Sequence, residues 1–142
     1  MEKLQRVAKL VQQNIDRLCA ELGFSIPQVN LDKSKQENTI QKALGVLSQD
    51  GIFACMIWLE SRNSLNPVAN NVDDITAKNI HEKSSMLLKR MKLVEDSLDY
   101  KKLRDELTRS NGILEDIHQM FLVKQVFERM LTYALYRAKS LP

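Results

Sequence analysis

Residues 51 to 62 read GIFACMIWLESR. Eight apolar residues run unbroken from Ile52 to Leu59, between a glycine and a charged end. Periodicity does not separate a buried strand from a buried helix in so short a run. A strand needs a partner, and no second β-rich run exists in the chain. The stretch is therefore assigned to a helix over 51–63, apolar on most sides because it lies in the middle of a bundle. A surface kept for another protein is the competing explanation. Trp58 stands among Phe53, Met56, Ile57 and Leu59, so it is expected to be largely buried, and its truncation to Ala to cost about 3–5 kcal/mol.

On the N-terminal side, Ile40, Ala43, Leu44 and Leu47 mark one face of a helix over 35–48, closed by the turn-like Ser48-Gln49-Asp50-Gly51. Before it, FSIPQVNLDKSKQEN (24–38) is polar, contains Pro27 and shows no sustained period, which predicts a connection. Leu4, Val7, Leu10, Val11, Ile15, Leu18 and Leu22 recur at helical spacing and predict a first helix over 2–22, with Gly23 as its left-handed cap.

On the C-terminal side, SLNPVANNVDD (64–74) reads as a loop whose Asp73 or Asp74 caps the next helix. Ala77, Ile80, Ser84, Leu87, Met91 and Val94 then form a heptad-like seam that breaks near Ser97-Leu98-Asp99. YKKLRDELTRSNG (100–112) predicts a short charged helix, and residues 113–141 one long helix of about 28 residues, some 42 Å. Its main stripe is Met120, Val123, Phe127, Met130, Leu131, Ala134 and Ala138, with Leu122, Val126 and Tyr133 forming a second. The fold class is all-α: one domain over 1–142, a bundle of five to six helices with a long C-terminal one.

The composition agrees. Of 142 residues 44% are hydrophobic and 27% charged, with only 4 Gly and 3 Pro, a balance that favours helices over turn-rich β architecture. No unbroken apolar core of a signal peptide and no membrane-length apolar span is present, so a cytoplasmic protein without a membrane contact is expected. Cys19 and Cys55 sit in apolar helical patterns without metal-ligand spacing and are expected to be reduced core residues. Glu115 and His118 form a single E-x-x-H, whereas carboxylate di-iron bundles need two such motifs and further glutamates. Phosphate-binding glycine loops and nucleophile elbows are missing as well. The reading is therefore of a protein that is not an enzyme and uses no cofactor.

The remaining signal is basic. The net charge is +3. Lys78, Lys89 and Lys92 fall within about 60° of one another opposite the seam, with Lys83 and Arg90 on the flank. Such a face is either simply solvated or a track for a nucleic-acid backbone, where ammonium groups displace counterions without reading bases. Near the C-terminus Arg129, Arg137 and Lys139 surround Tyr133 and Tyr136. These rings either stack on bases or, more commonly, close a core edge with the phenol oxygen in water.

KALGVLSQDGIFACMIWLESR (42–62), paired with VFERMLTYALYRAKSL (126–141), resembles the small all-helical subunits of type III CRISPR effector complexes, the Cmr type in particular. The resemblance implies a non-catalytic structural subunit of a ribonucleoprotein complex in antiviral defence. Such subunits stack in more than one copy along guide and target strands. They contact other subunits and the backbone of single-stranded or guide-paired RNA through basic surfaces, and leave cleavage to others. On this reading Lys78, Lys83, Lys89, Arg90, Lys92, Arg129, Arg137 and Lys139 are the candidate RNA contacts. The alternative is a helical protein-interaction or oligomerisation module that never binds nucleic acid.

Overall fold

The computed structural model describes residues 14–109 and 111–142. The chain is all-helical, and no strand occurs among the described residues. Residues 14–24 are helical (α1), followed by α2 (Lys33–Asp50), α3 (Ile52–Ser61) and α4 (Val72–Arg90). A 3-10 turn (Tyr100–Lys102) leads into α5 (Leu103–Thr108), and a second (Ile113–Glu115) into α6 (Ile117–Lys139). No helix among the described residues is long and apolar enough to cross a membrane.

α6 packs most extensively along α2, and α2 also carries α3 and α4. One core runs through all six helices, with Leu22, Ile40, Leu47, Met56, Ile80, Leu107, Phe127 and Met130 among its members. Cys19 and Cys55 are free thiols inside it. Burial pushes Cys19 up to about 11 and Cys55 up to about 12, so both stay protonated and unreactive at neutral pH.

Local chemistry moves several boundaries. The first helix extends to residue 24, and its stretch over 2–13 lies outside the described residues. Gly23 does not cap it. A Cβ there would stand 2.5 Å from the Met130 carbonyl oxygen, so glycine is what lets α1 lie against α6. α2 starts at Lys33 because Asp32 caps it, accepting from Lys35 N–H at 2.9 Å. The connection before it is organised by buried Gln36, whose amide accepts from Gln28 N–H at 2.7 Å and donates to the Gln28 and Leu31 carbonyls.

The expected four-residue turn at 48–51 is a single residue. Gly51, at φ +96° and ψ −176°, reverses the chain between α2 and α3 in a region that side chains disfavour. Asn71, rather than Asp73 or Asp74, caps α4, accepting from Asp74 N–H at 2.8 Å. α4 also stops short of Val94. Lys92 sits at φ +62°, with Lys92 N–H donating to Lys89 O and Leu93 N–H to Leu88 O, both at 3.0 Å, a left-handed C-terminal cap built on lysine. The long helix begins at Ile117, where Asp116 accepts from His118 and Gln119 N–H groups.

α3 is a helix, but it does not lie in the middle of the bundle. Ile52, Cys55, Met56 and Leu59 are buried at the i, i+3, i+4, i+7 spacing of one face. The opposite side carries Phe53 and Ala54, half-buried, and Ile57, 45% exposed. Trp58 is half-buried rather than core, with the Arg62 guanidinium 5.1 Å above its ring.

Candidate nucleic-acid and protein interfaces

Helical phase divides the cations of α4 between two edges. Lys78 and Lys89 share one edge with Glu82, and Lys83 and Arg90 lie on the other. Lys92 lies beyond the helix, in its left-handed cap. Most of these groups already have a partner. Arg90 Nη1 is 3.2 Å from Glu21 Oε2, tying α4 to α1. Lys92 Nζ lies 4.0 Å from Asp96. Lys78 Nζ donates to the Pro67 carbonyl at 3.5 Å, and Lys83 Nζ rests 3.8 Å from the Met86 sulfur. Lys89 has no polar partner among the described residues.

The C-terminal cluster is split in the same way. Asp16 of α1 accepts from Tyr133 OH at 2.7 Å and from Arg129 Nη1 at 3.0 Å. The Tyr133 hydrogen bond and then the Arg129 charge hold this carboxyl below its usual range, against the opposing effect of burial. Tyr133 also meets Phe24 edge to face. These two residues therefore fasten α1 to α6. Arg137 and Lys139 remain without a side-chain partner among the described residues, beside Tyr136, which is 60% exposed.

A buried polar cluster has no counterpart among the sequence expectations. Ser64, His81 and Ser85 are all buried. Ser64 Oγ lies 2.8 Å from His81 Nδ1, Tyr100 OH donates to the Ser64 carbonyl at 3.0 Å, and the Tyr100 ring meets the imidazole edge to face. A serine–histidine hydrogen bond is the kernel of many nucleophilic sites, yet here hydroxyl and ring are sealed from substrate. Burial pushes His81 down to about 4, so the ring is neutral at physiological pH. The cluster pins the 3-10 turn before α5 to α4 and to the loop that follows α3. Arg104, 2.8 Å from Glu60, does the same for α5. The E-x-x-H pair is also structural in part, because Glu115 Oε2 accepts from Asn111 N–H at 2.7 Å.

Exposed apolar side chains form the second surface. A groove of about 270 Å³ opens where the α2–α3 joint meets the start of α6, lined by Gly51, Ile52, Phe53, Leu114, Met120 and Phe121. Asp50 and Lys124 also line it, and no ion pair joins them. Ile117, one turn before Phe121 on the same edge of α6, is 57% exposed, and Phe121 53%. Ile57 extends the apolar surface one turn along α3 from Phe53.

No family model, curated protein or solved structure matches the chain. The likeness to type III small subunits therefore rests on the two sequence stretches alone.

One signal for the groove was present in the sequence. Ile117 and Phe121 lie about 85° and 125° from the centre of the Met120–Ala138 stripe, on the side away from the second stripe of Leu122, Val126 and Tyr133, so neither apolar stripe includes them. The Ser64–His81 contact had no such signal, because it joins a loop residue to a helix 17 positions away.

Proposed function

We propose that this chain is a non-catalytic structural part of a larger assembly, working by contact through the α3–α6 apolar face. The observation that carries the reading is the exposure of Phe121 in the groove, and of Ile57 and Ile117 one helical turn from its lining residues Phe53 and Phe121, while Arg90 and Arg129 among the candidate cations hold carboxylates within the chain. Contiguous apolar surface with a polar rim is the usual mark of a protein contact. A photo-crosslinking residue at position 57 or 121, introduced in the native host, should give discrete protein adducts, and one at exposed Lys35 should not. Equal labelling at all three positions refutes the reading.

A nucleic-acid role has one supporting observation of its own. Tyr136 is exposed and follows Arg129 and Tyr133 by about two turns and one, next to Arg137 and Lys139, which have no side-chain partner among the described residues. An open ring between cations suits base stacking and backbone contact, as a type III small subunit would require. Single-stranded RNA should then bind with an affinity that falls steeply with salt. Changing Arg137 and Lys139 to Gln should lower the salt slope by roughly one unit for each phosphate that is no longer neutralised. RNA binding that is absent, or insensitive to salt, removes this role and leaves the protein-contact reading alone.

A further inference from the structure

We infer that the groove at the α2–α3 joint seats a second copy of this chain, as a closed two-fold dimer. The inference rests on the protein-contact reading and names its partner. A two-fold interface brings the same patch together twice, so that patch must hold both halves of every contact. This one does. It has a recess, lined by Gly51, Ile52 and Phe53 of the joint and by Met120 and Phe121 of α6. Phe121 is nonetheless more than half exposed, as is Ile117 one turn before it on α6, so both have apolar surface to offer a partner. Gly51 has no side chain, and nothing stands within 4 Å of where its Cβ would be, so an incoming ring meets an open floor there.

Charge points the same way. Asp50 and Lys124 both border the groove, with opposite signs and no ion pair between them. Across a two-fold axis, Lys124 of each copy would face Asp50 of the other, giving two equivalent pairs around an apolar centre. Closure also separates this arrangement from open stacking, which uses two different patches and continues without limit.

Sedimentation equilibrium of the full chain across a micromolar range tests it. Wild type should show a monomer–dimer equilibrium with no larger species. Phe121→Asp should give monomer with unchanged helical circular dichroism. Asp50→Lys and Lys124→Asp should each raise the dimer dissociation constant on the order of tenfold, and the two together should restore it, since the swapped charges again meet across the axis. Both charge changes are on the surface, so they test the pairing even if the Phe121 variant unfolds. A wild type that stays monomeric, a series of higher oligomers, or a double variant no better than the singles overturns the dimer. A monomeric wild type that still gives host adducts at position 121 removes only the second copy as partner, whereas loss of those adducts removes the protein-contact reading itself.

Discussion

Acid should expose the cost of burying His81. The ring is 1% exposed, one nitrogen engages Ser64 at 2.8 Å, and Nε2 finds no partner. Either tautomer leaves one ring nitrogen unsatisfied, and a proton added to the ring would bring charge into an apolar interior. The folded-state pKa lies at about 4 against an ordinary 6.5. A depressed base binds its proton more readily in the unfolded chain, so stability is fully present above the ordinary value. It falls as pH drops through the window from 6.5 to about 4 and is lost below it. At 1.36 kcal/mol per pH unit that difference amounts to about 3 kcal/mol. Urea unfolding followed by circular dichroism from pH 7 to pH 4 measures it, with His81→Leu as the reference that titrates every carboxylate but not this ring. Wild type should lose about 3 kcal/mol more than the variant across the window. Parallel pH curves for the two proteins would refute the burial argument and mean that the ring can be protonated in place.

Gly51→Ala should destabilise by about 1–3 kcal/mol through backbone strain alone, since a Cβ there touches nothing; a thermal midpoint equal to wild type would contradict the φ of +96°. Lys92→Gly should stabilise by about 1 kcal/mol, because glycine occupies the left-handed cap without penalty, and a loss in urea would place the end of α4 elsewhere. Trp58→Ala should cost roughly half of the 3–5 kcal/mol expected of a fully buried aromatic, and a cost at the top of that range would return Trp58 to the core.

Helix identity was legible wherever the sequence offered a period or excluded the alternative. The run from Ile52 to Leu59 was recognisable as a helix because no partner strand exists for it. Its outward side was not legible. Ala54 and Ile57 look no different from Cys55 and Met56 in a stretch without polar residues, and only the placement of α2 and α4 decides which face is covered. The end of α4 was hidden for a different reason. Met91 and Val94 continue the apolar period, while the stop comes from a left-handed Lys92, a residue type that sends no stop signal.

The basic face shows how far sequence reasoning about charge reaches. Lys78, Lys83, Lys89 and Arg90 fall on the less buried side of one helix, as a 3.6-residue repeat is enough to predict. Whether a cation on such a face is available to a polyanion depends on acids brought to it by the fold. Glu21 reaches Arg90 across 69 residues of chain, and Asp16 reaches Arg129 across 113. Both acids belong to α1, whose own period reports only an amphipathic helix. Exposed pairs of this kind contribute little to stability, on the order of 0–1 kcal/mol, so RNA could still compete for them. Competition has a signature. If Arg90 and Arg129 serve a backbone, Glu21→Gln and Asp16→Asn should raise RNA affinity by freeing a guanidinium while leaving the fold close to its original stability. If affinity stays unchanged in both variants, the pairs are fastenings of α1 to the bundle, and any RNA contact falls to Tyr136, Arg137 and Lys139 rather than to Arg90 and Arg129.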